Sequence, residues 1–157
     1  PDSRTLAEIA VQTAKVARRF GVKPRVAMLS FSNFGTSSEM RTDRVEEAIS
    51  IARELDPDLI IDGPMQADTA LVPEIQKEYP FMSFDGPANI LICPNLASAN
   101  IAYKLLQRIA GAEMTGPILE GLSKPAHVLQ RGDSVRDVVH MAAICAVDAQ
   151  RHDWQKL

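Results

Sequence analysis

Arg131, Gly132, Asp133, Ser134, Val135, Arg136 and Asp137 run directly into a long apolar stretch, which places an arginine, a glycine and acids at the mouth of a helix. Unpaired backbone N–H groups and the helix dipole favour anions at such an end. A guanidinium is a planar fork that fits phosphate or carboxylate oxygens, so the chemistry on offer is anion binding. Gly132 permits a positive φ in the turn. The same residues carry a plainer reading. Ser134-Val-Arg-Asp137 has the form of a capping box, with serine at the N-cap and an acid at N3. The two readings of Asp137 are compatible, because a first-turn acid can face a cleft. Arg131 by itself reads as a solvated surface arginine.

A second group of polar residues lies earlier in the chain. Asp62 and Asp68 stand six apart in DGPMQAD, around Gln66. Two acids at that spacing could frame a site, but no third ligand or histidine lies near them in sequence, and a metal site is not expected. The plain alternative is a strand-to-helix turn with Asp68 near the helix start. Asn95 and Asn100 either hydrogen-bond a ligand or cap the following helix. His127, His140 and His152 show no paired spacing for zinc. Tyr103, Lys104, Gln107 and Arg108 form one polar side of a helix and read as a solvated face or a subunit contact.

These residues must be positioned by alternating helices and strands. Leu6, Ile9, Ala10, Thr13, Val16, Ala17 and Phe20 recur at helical spacing, and Gly21 is placed to stop that helix. Strands are expected at 25–31, 59–61, 89–93, 117–119 and 127–129. Helices are expected over 43–55 with Thr42 as cap, over 70–77, over 97–110 ending at Gly111, and over 134–151. The last is apolar nearly all round, from Val135 to Val147, and is expected to be buried in a core or a dimer interface. Strands separated by helices imply an α/β layered fold with a mostly parallel sheet and flanking helices. Ligands in open sheets of this kind sit beyond the carboxyl ends of the strands. That edge would hold the loops 32–41, 62–68 and 94–99, with 130–134 expected near them.

Composition limits the alternatives. A chain of 157 residues that is 46% hydrophobic can bury a core, and a net charge of −3 gives no nucleic-acid footprint. No apolar run reaches transmembrane length, and the first stretch is amphipathic, unlike a signal peptide. Cys93 and Cys145 sit in apolar surroundings and read as buried thiols of a reducing compartment, so a cytoplasmic location is expected. A helix that starts almost at Pro1 suggests the C-terminal piece of something longer.

Four stretches in order, VAMLSFSNFGTSS, DGPMQADTAL, ANILICPNLASANIAYKLLQR and GPILEGL with the residues after it, resemble the phosphate acetyl/butyryltransferase (phosphotransacetylase) family across nearly the whole chain. The resemblance implies a two-lobed fold akin to isocitrate and isopropylmalate dehydrogenases. It further implies a site between the lobes, dimers, and an acyl-CoA or CoA ligand. The chain would then be an incomplete phosphotransacetylase-like domain, with residues 1–115 mostly one lobe and 116–157 the return segment and terminal helix of the other.

Residue by residue, Arg131 matches the family's anion-binding arginine and Asp137 the base that takes the CoA thiol proton. Gln130 stands where the family has serine. Gly132 follows in the same turn, and Ser32, Asn33, Asp62, Gln66, Asp68, Asn95 and Asn100 are the further ligand-binding candidates. Asp133 adds a carboxylate beside the anion site, which is unfavourable for phosphate. Ser32-Asn33-Phe34-Gly35 and the loss of the serine look most like the C-terminal domain of NADP-dependent malic enzymes. There the resemblance implies a regulatory acetyl-CoA sensor, with NADP and a divalent metal held only by an upstream portion. The alternative is an active phosphate acetyl- or butyryltransferase.

Overall fold

Asp2 opens the first element. Its Oδ1 accepts the N–H of Thr5 at 2.8 Å and caps helix α1, Ser3–Arg19. The helix stops where the sequence expects. Gly21 has φ +73°, Val22 N–H reaches Ala17 O and Gly21 N–H reaches Arg18 O, both at 3.0 Å, which closes a Schellman turn. The structure, a computed structural model, describes residues 1–35, 41–84 and 86–150. Residues 36–40 of the expected 32–41 loop, and Arg151 and His152, lie outside the described residues.

The order continues with strand β1 (Val26–Leu29), helix α2 (Arg41–Leu55), strand β2 (Ile61–Met65), short helices α3 (Ala67–Leu71) and α4 (Pro73–Gln76), strand β3 (Ile90–Ile92), and helices α5 (Leu96–Ile109) and α6 (Val135–Ala149). The three strands form a parallel sheet in the order β2-β1-β3. This is an α/β fold with helices flanking a parallel sheet. By compactness the chain divides into two units, Pro1–Ala102 and a second beginning at Tyr103. The division falls within α5.

In the first unit, alternation along β1 feeds two cores. Val26 and Met28 pack with Leu6, Ala10 and Ala14 of α1 and Val45, Ala48 and Ala52 of α2. Ala27 packs on the other face with Met65, Ala70, Phe84 and Ala88. Fully buried alanines on both α1 and α2 let the helices approach closely. This rotates α1 from the expected stripe: Ser3, Ala7 and Val11 are buried, whereas Ile9 and Phe20 are exposed.

Several expectations are corrected. β2 begins at Ile61 and runs to Met65, so most of the expected 62–68 connector is strand. Gly63-Pro64 looks like a turn in sequence, but β2 is an edge strand of this sheet, where a residue without an N–H is tolerated. The helix expected over 70–77 is two short ones, separated at Val72 and restarted by Pro73. Helix α2 begins at Arg41, which puts Thr42 inside it and not at its cap. The strands at 117–119 and 127–129 do not form. That stretch is irregular, and Leu119 N–H goes to His127 Nδ1 at 3.2 Å instead of to a ladder. Cys93 and Cys145 are half-buried, not buried.

α6 is not buried within its own unit. Met141 and Asp148 are covered, but Val135 is 82% exposed, and Val139 and Val147 are open as well. A unit built from α6, the end of α5 and irregular chain has too little apolar material to wrap a helix that is apolar nearly all round. Among the described residues no helix is long and apolar enough to cross a membrane.

Candidate functional site

At the carboxyl edge of the sheet in the first unit, the turn after β1 meets the residue after β2. Asn33 Oδ1 accepts the Gln66 N–H at 2.7 Å, and Asn33 Nδ2 lies 3.4 Å from Gln66 Oε1 and 3.2 Å from the Tyr79 hydroxyl. Gln66 Nε2 donates to Phe31 O at 2.7 Å. Phe34 takes φ +45°, a costly conformation for a bulky residue, and its ring meets Tyr79 and Phe81 at 5.1 and 4.8 Å between centroids. Ser32 is buried, and its Oγ has no hydrogen-bond partner among the described residues. Three expected ligand residues, Ser32, Asn33 and Gln66, therefore share this edge.

The other candidates of this unit do structural work. Asp62 is buried; Oδ2 accepts the Ser83 N–H at 2.6 Å and Oδ1 accepts the Gly63 N–H at 2.9 Å, so the side chain fastens the 83 region to β2. Asp68 is an exposed first-turn acid of α3 whose Oδ1 accepts the Thr69 N–H. Asn95 caps α5 through Ser98 N–H at 2.9 Å, the plainer of its two readings. Asn100 is exposed on α5 with no hydrogen bond among the described residues. A separate cavity of about 570 Å³, lined by Gln76, Lys77, Tyr79 and Phe84 among others, involves none of the sequence candidates.

In the second unit the capping box forms in full. Asp137 Oδ2 accepts from Ser134 N–H at 2.9 Å and Ser134 Oγ–H at 2.7 Å, while Ser134 Oγ lies 3.2 Å from Asp137 N–H. The bond from the Ser134 hydroxyl is the largest cause holding the Asp137 carboxyl below its usual range, with His140 and Arg136 adding charge. Asp137 Oδ1 takes no hydrogen bond among the described residues. Asp137 also lines a cavity of about 280 Å³ with Ser134, Arg136, His140, Gln107 and Glu113. Capping and cleft-facing thus coexist at this residue.

Arg131 is exposed and does not line that cavity, so the structure does not bring it and Asp137 to one wall. Gly132 has φ +97°, the conformation the turn requires of a glycine. Gln130 is held tightly: Oε1 accepts Lys104 Nζ at 2.8 Å, Nε2 lies 2.9 Å from the Tyr103 oxygen, and its N–H donates to Asp133 Oδ2 at 2.6 Å. Asp133 therefore turns towards its own turn. His127 Nε2 lies 3.3 Å from Asp148 Oδ2 without hydrogen-bond alignment, and the pair pins the irregular return segment to α6.

Sequence reasoning missed Arg136, His140 and Glu113 as lining residues, and it reads Tyr103 and Lys104 as a solvated face or a subunit contact. His140 stands three residues after Asp137 on one helical face, a signal that was available. The contact of Lys104 with Gln130 crosses an irregular segment and has no such signal. Among the described residues no three His, Cys, Asp or Glu side chains gather as metal ligands.

The chain matches the family described as Phosphate acetyl/butaryl transferase over residues 1–146. It belongs to that family. A phosphate acetyltransferase of Bacillus subtilis is 44% identical over 150 residues, which are 95% of this chain and 46% of that protein. An NADP-dependent malic enzyme of Escherichia coli is 46% identical over 153 residues, 96% of this chain and 20% of that protein. The crystal structure of a phosphotransacetylase from Streptococcus pyogenes superposes with a TM-score of 0.89 at 45% identity, over 95% of this chain and 46% of that one. The chain therefore spans about half the length of these phosphotransacetylases and a fifth of the malic enzyme. Membership rests on the whole stretch, including the turn from Gln130 to Asp137.

Proposed function

We propose that this chain is part of a phosphate acyltransferase, which moves an acyl group between an acyl phosphate and the thiol of coenzyme A. The observation that carries the reading is Asp137: it is fixed by the capping box, its second carboxylate oxygen is unused, and it lines a cavity in a chain 44% identical to a phosphate acetyltransferase. In this reading Asp137 takes the proton from the coenzyme thiol, whose ordinary pKa of about 8.5 leaves it a weak nucleophile until ionised. The thiolate attacks the acyl carbonyl carbon, and the carbon–oxygen bond to phosphate breaks. Phosphate leaves with the electron pair, and the proton passes from Asp137 to phosphate or water. Arg131 meets the phosphoryl charge. A homodimer covering the open face of α6 belongs to the same proposal.

The test is turnover by the full-length protein given acetyl phosphate and coenzyme A, read as thioester formation. Asp137→Asn should abolish it, and Arg131→Ala should raise KM for acetyl phosphate. No thioester from the wild type would end this reading.

One observation favours a second reading. By the sequence resemblance Gln130 stands where a serine is expected, and its amide is tied to Tyr103 and Lys104 instead of presenting a free hydroxyl. A domain that binds acetyl-CoA without turning it over would regulate a malic enzyme such as the one to which 96% of the chain aligns. NADP and a divalent metal would then belong to other parts of that longer protein. The signature is no thioester formation, together with stabilisation by acetyl-CoA of about 2.7 kcal/mol at a hundredfold excess over Kd. Coupling of about 1–3 kcal/mol to malate oxidation would complete it.

A further inference from the structure

We propose that Lys104 is a second binding cation for a phosphoryl group at the turn from Gln130 to Asp137, with Gln130 and Tyr103 as its positioning residues. The inference rests on the reading that this turn meets an acyl phosphate or an acyl-coenzyme.

Lys104 is half-buried on α5, yet no carboxylate lies within ion-pair distance of it among the described residues. Several arginines, by contrast, are paired. Arg4, Arg18, Arg53 and Arg136 have carboxylate oxygens at 2.8, 2.6, 3.9 and 2.9 Å. An ammonium with a donor left over can donate it to a phosphoryl oxygen of an incoming anion.

The contacts of Lys104 fix its place without neutralising it. Nζ donates to Gln130 Oε1 at 2.8 Å and stands 4.6 Å from the centre of the Tyr103 ring. An ammonium only donates, so the amide oxygen of Gln130 must face it. The amide nitrogen of Gln130 then faces the Tyr103 oxygen at 2.9 Å. The Gln130 amide oxygen and the Tyr103 oxygen take two of the three ammonium donors, leaving one. Asp133, the acid of this turn, accepts the Gln130 N–H at 2.6 Å through Oδ2. Arg131 follows Gln130 in the chain, so a guanidinium and an ammonium are both attached to one turn whose residues precede the N-terminus of α6. That is a site for phosphoryl oxygens, whether they come from an acyl phosphate or from the phosphates of the coenzyme.

Calorimetric titration of the full-length protein tests this. The probes are acetyl phosphate, coenzyme A and the phosphate-free thioester S-acetylpantetheine. Lys104→Met should weaken at least one phosphate-bearing probe by about tenfold or more, the worth of one charge-assisted hydrogen bond, and leave S-acetylpantetheine unchanged. Lys104→Arg should restore most of the loss. Which phosphate-bearing probe is lost identifies the source of the phosphoryl group. Lys104→Gln, which keeps a donor towards Gln130 without the charge, serves where the methionine variant fails to fold. Wild-type affinity for both phosphate-bearing probes in the uncharged variants, an equal loss of S-acetylpantetheine, or no binding of either phosphate-bearing probe by the wild type would each overturn the inference. Lys104-dependent binding without turnover would uphold it while removing the acyltransferase reading.

Discussion

Asn33 and Gln66 hold one another across the ends of β1 and β2. Asn33 Oδ1 accepts the Gln66 N–H at 2.7 Å, and Gln66 Nε2 returns to the β1 side through Phe31 O at the same distance. Two loops far apart in sequence become one polar edge, held by the side-chain amides of both residues.

Asn33→Ala leaves the Gln66 N–H without its acceptor and the Tyr79 hydroxyl without its amide neighbour. We expect a loss of about 1 kcal/mol in stability, seen as a lower denaturant midpoint with an unchanged slope. Acyl-coenzyme affinity should fall as well. Equal affinity in the variant would remove this edge from the binding site.

β2 delivers Gln66 only because Gly63 lies against β1. A Cβ there would stand 2.6 Å from Met28 O and 3.0 Å from Met28 Cβ, with φ at +137°. Backbone cannot yield as a side-chain tip does. Gly63→Ala should therefore cost roughly 3 kcal/mol from overpacking and strain, read by thermal or chemical unfolding. A variant as stable as the wild type would show that the strand has room to shift.

Much of this was legible because it is local. Gly21 ends α1, Asn95 caps α5 and Ser134-Asp137 closes a capping box, and each of these follows from residues within one turn. Gly63-Pro64 misled because a turn dipeptide and an edge strand share a composition, and only the strand order separates them. Helix α1 misled through its face: Ile9 fits the periodic stripe, but small Ala7 and Ala14 pack against α2. At the turn into α6, the capping role of Asp137 and the positive φ of Gly132 were readable. The Lys104 contact with Gln130, 26 residues apart, comes from tertiary folding and left no trace in spacing.

Asp137 gives a pH prediction. Its carboxyl is held low in the folded protein, first by the Ser134 hydroxyl and then by the Ser134 N–H. A depressed folded pKa contributes stability that is present above the unfolded value, 3.8, and is lost as pH falls through the lower folded value. The contribution therefore holds at neutral pH and disappears in strong acid. Ser134→Ala should return the Asp137 pKa towards 3.8 and shrink the difference in stability between neutral and acidic pH. A carboxyl NMR titration of the variant checks this, and an unmoved Asp137 would show that the hydroxyl is not the cause.

Gln130→Ser separates the two functional readings. The substitution introduces the hydroxyl that the sequence resemblance expects at this position and removes the amide that holds Lys104 and Tyr103. A hydroxyl placed to meet the charge that develops on the carbonyl oxygen should raise kcat, by up to roughly a hundredfold on the scale of a single such donor. Releasing Lys104 should meanwhile raise KM for the phosphate-bearing substrate, because the ammonium is no longer held at the turn. The expected result is thus a split, with kcat and KM rising together. An increase in kcat would identify Gln130 as the brake on acyl transfer in a site otherwise equipped for it. If the variant forms no more thioester than the wild type, the missing serine is not what limits this chain. Acetyl-CoA binding without turnover in both proteins would then favour the sensor over the enzyme.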